Sequence, residues 1–538
     1  MTALTGDSPP GGSPPKRTND GGLLALVAVA GAGTMVVELA AVRLLAPWYG
    51  TSSTVWTNVI GVVLLALALG YLLGARWAGT ERPLRRLGFV LLCAGLVTAW
   101  LPFLAPIVAR GFLPDGTTLD RAAMQIQWGS LATALVLFLP AALALGAVGP
   151  LAVEIDQRRR SSHAGNAGGR VLAASTLGSL VGTFGTTHVL VPVLGLQQSF
   201  LLAALVLGGL GALVLWSAGR NARVTGGAAL MFIAGSFLAV PGQAELGEGE
   251  RLLADAQSPY QAVRVVERGS GPDRVRELQV NEGFDSFQSV WRPKSGFLGP
   301  GYYYDHFALP AWLDEKRVGS WRTCVVGLGA GTAWRVLEST LPGSLILDGV
   351  GIELDPQVVA FGREWMDLAK ADTPGRLVLS GWDGRAGLRA VDGGFDQIIL
   401  DAYANQVEIP AHLCSIEFFR EVRAALRPGG WLSVNVGAFG HEDPVVQGLA
   451  RTACAAFEQP VALVRVPFSR NVALIVREGA APLPDELPAD LPNGWGEWLA
   501  LEQATVVLDD RSDPLTDDRN AIERLQHASL RRAAESRR

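Results

Sequence analysis

The sequence predicts a multi-span α-helical membrane domain followed by a doubly wound α/β domain that opens on a small β subdomain. Long apolar runs are confined to the residues before 242. Past 250, β-branched strands alternate with helices, and the turns that follow those strands carry glycines or acids. The chain has 538 residues, of which 49% are hydrophobic and only 18% charged. Mean hydropathy is +0.27, whereas a soluble chain carries charge on about a quarter of its residues. The net charge of −5 gives no basic surface for nucleic acid. The four cysteines (Cys93, Cys324, Cys414, Cys454) lack a CxxC spacing and the six histidines form no HExxH-type cluster, so no protein-ligated metal is expected.

Residues 1–20 are rich in Pro, Gly and Ser without an apolar face and read as a disordered tail. Residues 21–242 form the membrane domain, with spans expected near 23–46, 55–77, 85–108, 128–153, 171–194, 198–218 and a short seventh at 224–240. Runs such as "LLALALGYLLG" and "LVLGGLGALVL" supply the small residues that let helix backbones approach in lipid. Glu38, Arg43 and His188 are ionisable groups inside these spans, and such groups are candidate sites or polar clamps. Arginines crowd the loops at 76–86, 158–170 and 220–223, which places those loops and the N-terminus in the cytoplasm. Seven crossings would export the following domain, so segment 224–240 is expected to be re-entrant or interfacial. A multi-pass protein of the cell membrane with a cytoplasmic catalytic domain is the expectation, as is a homo-oligomer.

In residues 250–300, "AVRVVE" and "RELQVNE" flank a Gly-Pro-Asp turn and predict antiparallel strands. Residues 301–525 then alternate strand and helix: "TCVVGLGAGT", "DGVGIELDP", "RLVLSGWDG", "FDQIILDAY" and "GGWLSVNVGAF" hold the strands. Residues 526–538 read as a basic tail. Ligands of such sheets bind beyond the carboxyl ends of the strands. There the chain has Gly327, Gly329 and Gly331, then Glu353 with Asp355, then Asp383, then Asp401. A glycine turn running into a helix admits a ligand close to the backbone, and an acid about 22 residues later can accept both ribose hydroxyls. Each acid alone is as readily a helix cap; four ligand-side features in strand order point to a nucleoside site.

Residues 250–440 resemble the spermidine synthase family of aminopropyltransferases, a branch of the Rossmann-like SAM-methyltransferase fold, and the whole chain resembles its membrane-fused members. "SPYQ" with Gln261 matches the motif whose glutamine contacts the nucleoside thioether, and "GLGAG" falls at the family's glycine turn. The resemblance implies Glu353 as the ribose acid, Asp383-Gly384 as the adenine pair and Asp401 as the general base. In "GYYYDHF" it implies a catalytic tyrosine: Tyr302 when anchored on Pro310, with Tyr303 or Tyr304 as alternatives and Tyr303 at the substrate. Decarboxylated SAM, or SAM itself, would be the co-substrate and a putrescine-like amine the acceptor. Two family acids are replaced, by Ala330 in the glycine turn and Ala404 after the base. Asp305 and Glu408 are candidates to restore that charge at the substrate. Two other activities stay open: methyl transfer from SAM, and polyamine or lipid transport regulated by a nucleoside-binding domain.

Overall fold

The computed structural model describes residues 21–49, 53–112, 119–161, 163–216, 227, 246, 249–280, 288–370, 373–403, 409–484, 486–492, 494–496, 499, 503–506 and 513–535. Residues 1–20 and, Gly227 apart, the expected span 224–240 lie outside them. The N-terminal bundle comprises α1 (Gly21–Tyr49), α2 (Ser53–Ala78), α3 (Pro83–Phe112), α4 (Leu119–Arg160), α5 (Ala164–Gly185) and α6 (Val191–Trp216). Among the described residues, five stretches are long and apolar enough to cross a membrane, and the fifth, Ala164–Trp216, contains both α5 and α6.

Side-chain contacts give the helix directions. Tyr49, at the end of α1, bonds Thr133 near the start of α4 at 2.8 Å, and its hydroxyl donates to the Ala109 carbonyl near the end of α3 at 3.3 Å. At the opposite end, Arg158 of α4 donates to the Ala78 carbonyl that closes α2. Gly178 and Gly182 of α5 lie on Ala28 and Ala32 of α1, so those helices run parallel, whereas Gly88 and Gly95 of α3 meet Gly211 and Gly208 of α6 in antiparallel order. The chain therefore reverses between α5 and α6. The break follows a π-helical turn (Thr186–Leu190) and falls at a kink inside the first turns of α6, at Gly195, whose φ of 79° and ψ of 170° suit glycine alone. Residue 21, the turns after Ala78 and Arg160, and Trp216 consequently share one end of the bundle.

The soluble half carries two sheets. Strands β1 (Arg251–Gln257), β2 (Ala262–Arg268), β3 (Val275–Val280) and β4 (Ser289–Trp291) form the antiparallel subdomain in sequential order. The large sheet holds β5 (Val318–Val326), β6 (Ser344–Glu353), β7 (Arg376–Ser380), β8 (Phe395–Leu400), β9 (Leu426–Gly437), β10 (Val461–Arg465), β11 (Asn471–Arg477) and β12 (Gln503–Val506), ordered β12-β10-β11-β9-β8-β5-β6-β7. Strands β5 to β9 pair in parallel, as expected, but β10, β11 and β12 extend the sheet antiparallel. Only a five-residue turn separates β10 from β11, too short for a parallel crossover. Helices α7 (Thr332–Thr340), α8 (Pro356–Trp365), α9 (Gly384–Ala390), α10 (Ile416–Ala425) and α11 (Pro444–Phe457) cover the sheet, and α12 (Ile522–Glu535) packs on both α11 and α4. The residues expected as a tail from 526 thus continue a helix to Glu535, because its Ile522, Gln526 and Ser529 recur on one buried face.

Glycine contacts hold the bundle together. A Cβ at Gly178 would stand 1.8 Å from the Ala28 carbonyl oxygen, whereas one at Gly168 of the same helix would meet nothing within 4 Å. Gly178→Leu is expected to lower the Tm of the detergent-solubilised protein by about 5 °C or more, a core-overpacking penalty. Gly168→Leu is expected to leave it within about 1 °C, and equal behaviour of the two variants would contradict the α1–α5 packing.

Candidate active site

The site is built from strand ends that touch. After β5, Gly327, Gly329 and Gly331 all take positive φ (87°, 57° and 90°), and Gly331 caps α7. The turn is anchored by the Gly327 and Leu328 N–H groups, which donate to the Ile352 carbonyl at 2.9 and 3.0 Å. A Cβ at Gly327 would lie 2.4 Å from the Asp401 carbonyl oxygen, and one at Gly329 would lie 2.6 Å from Ser289 Oγ. Glycine is therefore required for the turn to pass between the ends of β8 and β4.

Glu353, at the end of β6, accepts from Gly329 N through Oε2 (2.9 Å) and from Asp355 N through Oε1 (3.0 Å). Burial raises its pKa while these N–H groups oppose the rise. Asp355 caps α8 by accepting from Gln357 N at 2.9 Å, and its other oxygen accepts from Ser258 Oγ at 2.6 Å and Gln261 Nε2 at 3.3 Å. The "SPYQ" turn thereby docks the small β subdomain beside the glycine turn.

Asp383 caps α9, with Oδ1 accepting from Arg385 N and Ala386 N at 3.1 Å each and Oδ2 meeting His412 Nε2 at 2.8 Å. Partial burial pushes the Asp383 carboxyl up, but the Ala386 N–H and His412 outweigh it and hold the group below the usual range. Gly384 lets the start of α9 close on β5, since a Cβ there would lie 2.5 Å from Val326 Cγ1.

Asp401 follows β8. Its N–H donates to the Val326 carbonyl at 2.9 Å, and its Oδ1 accepts from Asn435 Nδ2 at 2.8 Å. Asn435 in turn accepts from Asn471 Nδ2 at 2.8 Å. The Tyr403 hydroxyl donates to the Asn435 carbonyl and accepts from Gly437 N, both at 2.8 Å, which holds this end of β9 in place. Burial pushes the Asp401 carboxyl up to about 7; bonds from Asn435 and Tyr303 oppose that rise, and the nearby Glu353 adds to it. A carboxylate with that value can take a proton near neutral pH.

The other expected site residues are placed as follows. The Tyr302 hydroxyl accepts from Arg292 Nη2 at 2.9 Å, and its ring lies 4.8 Å from that guanidinium. Tyr303 is the tyrosine on the Asp401 carboxyl, stacked on Tyr304 with centroids 4.2 Å apart. Asp305 is held in its loop, its two oxygens accepting from Leu298 N and Gly299 N at 2.8 Å each. Glu408 and Ala404 lie outside the described residues. Ala330 is buried beside Val358, Phe361 and Trp291, and its N–H donates to Ser289 Oγ at 2.8 Å. In the bundle, Glu38 and Arg43 are half-buried, with no ion pair between them among the described residues; His188 lies on an exposed face, stacked on Phe184. The sequence reading missed Asn435, His412 and Tyr403. Asn435 was the detectable one, since an asparagine inside the apolar strand "LSVNV" is disfavoured unless it bonds something.

No family model matches the chain. It is 28% identical over 446 residues, 77% of each chain, to the polyamine aminopropyltransferase of Mycobacterium tuberculosis. It is also 28% identical over 525 residues to polyamine aminopropyltransferase 2 of Streptomyces coelicolor, covering 91% of this chain and 86% of that one. The chain is spermidine synthase-like. A further relative, the probable polyamine aminopropyl transferase of Bifidobacterium longum, is 29% identical over 223 residues, and this spermidine synthase-like chain spans only 44% of its length. Among solved structures, a probable spermidine synthase from Corynebacterium glutamicum aligns with a TM-score of 0.36 at 16% identity, over 47% of this chain and 89% of that one.

Gly327→Ala is expected to lower the Tm by about 5–10 °C, since it combines a strained φ with a backbone clash. Gly440→Ala, at a φ of 121° where a Cβ would meet nothing within 4 Å, isolates the strain and should cost less. Equal losses would mean that the Gly327–Asp401 contact is unimportant.

Proposed function

We propose that this protein is a membrane-anchored aminopropyltransferase that joins the aminopropyl group of decarboxylated SAM to an amine. The observation that carries the reading is Asp401, a buried carboxyl poised near neutrality between Tyr303, Asn435 and the glycine turn. Glu353 keeps lone pairs for the two ribose hydroxyls beyond those given to Gly329 and Asp355. Asp383 meets the adenine amino group through the oxygen that His412 now holds, and Gln261 closes over the thioether from the small subdomain.

In the proposed step Asp401, steadied by Tyr303, takes a proton from the acceptor amine. The nitrogen bonds to the carbon beside the sulfonium, the carbon–sulfur bond breaks with its electron pair going to sulfur, and methylthioadenosine leaves. The sulfonium is already a strong electrophile, so orientation and one base suffice. Buried Ala330 favours a second reading, methyl transfer from intact SAM, because an acid at that position would repel the SAM carboxylate. Tighter calorimetric binding of SAM than of decarboxylated SAM would favour that second reading.

The reading places the protein in the cell membrane as a multi-pass chain with a cytoplasmic catalytic domain. It is supported by Arg76, Arg82, Arg85 and Arg86 and by Arg158, Arg159, Arg160 and Arg170, which flank the turns at the bundle end that Trp216 shares.

Asp401→Asn is expected to slow methylthioadenosine release by about 10²–10⁴-fold, the usual contribution of a general base. Nucleoside affinity should stay within about threefold. Retention of full turnover would rule out Asp401 as the base.

A further inference from the structure

Asp401 ends a chain of hydrogen bonds that starts in the turn between β10 and β11. The β8–β9 register pairs Leu400 with Val434, so the next step along both chains sets Asp401 beside Asn435. Asn435 is 4% exposed, and its Nδ2 donates to Asp401 Oδ1 at 2.8 Å. Across the β9–β11 ladder Asn435 is paired with Ala473, and Asn471 lies two residues away on the same side of the sheet. The Asn471 Nδ2 donates to Asn435 Oδ1 at 2.8 Å, and its Oδ1 accepts from the Ser469 hydroxyl. All three bonds are donated toward the carboxylate.

The sense of the chain follows from one charge. An ionised carboxylate only accepts, so Asn435 turns its amide N–H to Asp401 and its oxygen to Asn471. Asn471 meets that oxygen with its own N–H, which leaves its oxygen for a hydroxyl donor. Ser469 is that donor. A protonated Asp401 would reverse the chain, exchanging a bond to a charged acceptor, about twice as strong, for neutral ones. Bonds in such a chain also strengthen one another, by roughly 10–30% each. In its present sense the chain favours the form of Asp401 that can take a proton.

The turn that starts the chain is held on several sides. Phe468, next to Ser469, has a φ of 56° while its ring is 93% exposed, so burial of the ring does not offset this left-handed backbone. Its neighbours fix it instead. Ser469 N donates to the Val466 carbonyl at 3.3 Å, Val466 N to the Asn471 carbonyl at 3.0 Å and Ala438 N to the Arg470 carbonyl at 2.6 Å. Gly301 N donates to the Pro467 carbonyl at 2.9 Å, so the same turn holds the segment that leads into Tyr303. Titratable groups face Asp401 from other elements: Glu353 from the end of β6, Tyr303 and Tyr304 from the 3₁₀ segment, and Tyr403 from its own loop. The two amides and the serine hydroxyl bring no charge, and what they add is direction.

Taking the aminopropyl transfer above as its basis, we propose that Asn471 and Ser469 are positioning residues for the proton transfer, acting through Asn435 to keep the Asp401 carboxylate ionised and oriented. The bond changes are those of the transfer step, and neither residue exchanges a proton.

The test follows Asp401 in the full-length, detergent-solubilised protein. With isotope-labelled aspartate, the pH-dependent infrared carboxyl band that Asp401→Asn removes reports its titration without turnover. The pH break of kcat/KM for methylthioadenosine release is the second readout. Asn471→Ala removes a donor without adding charge and is expected to raise both midpoints by about half a pH unit or more. Ser469→Ala, on the half-buried turn, should raise them by about 0.3 unit, and Ser469→Thr, which keeps the hydroxyl, should not. In an Asn435→Ala background neither alanine substitution should add a further shift. Midpoints unmoved in Asn471→Ala and Ser469→Ala, or shifts that survive the Asn435→Ala background, would overturn the inference and leave the transferase reading intact. No release with any amine would remove the transferase reading, and the infrared midpoints would then decide alone whether the chain governs Asp401.

Discussion

The close passage of Gly327 past the Asp401 backbone is the constraint on which the site depends. A side chain at 327 would occupy the space of the Asp401 carbonyl, so the glycine turn and the end of β8 can meet only without one. That meeting sets an acid within reach of whatever the turn cradles. The Asp401 N–H to Val326 carbonyl bond extends the β5–β8 pairing by one step and fixes its height. Glu353 then ties its own strand end to the turn through Gly329 N. Three adjacent strands thus converge on one concavity by backbone contacts, and their side chains keep capacity for a ligand.

The remaining parts hang on this frame from two directions. On the Glu353 side, Asp355 serves both as helix cap and as anchor for Ser258 and Gln261. One buried carboxylate therefore couples the start of α8 to the docking of the small subdomain. On the other side, the antiparallel pairing of β9 with β11 brings Asn471 beside Asn435, and the amide pair reaches Asp401. Asn435, itself held by Asn471, supplies a donor to a carboxyl that burial would otherwise drive toward its neutral form.

Much of this was legible in the sequence. The strand-end acids Glu353, Asp383 and Asp401 are readable because each ends a β-branched run, where a doubly wound sheet presents its ligands. The antiparallel subdomain follows from its alternation and its Gly-Pro-Asp turn. The choice among Tyr302, Tyr303 and Tyr304 was not readable. The three occupy consecutive positions at the start of a 3₁₀ turn, where each residue rotates about a third of a circle from the last, so only the fold decides which one faces Asp401. The bonds of Asp305 to Leu298 and Gly299 N–H are local loop bonds that composition does not reveal. His412 reaches Asp383 across the sheet's end with no sequence signal at all. In the bundle, the break between α5 and α6 was readable from its spacing, and Gly195 supplies its backbone reason.

The most direct test of Asp401 as a buried base is the pH dependence of kcat/KM for methylthioadenosine release. Only the deprotonated carboxylate can accept the amine's proton, and its pKa is raised to about 7. The rate is therefore expected to rise about tenfold per pH unit below 7 and to level off above it. Replacing Asn435 with Ala should move that break to higher pH, because a donor to the charged form is lost. A profile flat from about pH 5.5 to 8.5, or a break unmoved in the Asn435 variant, would contradict the assignment.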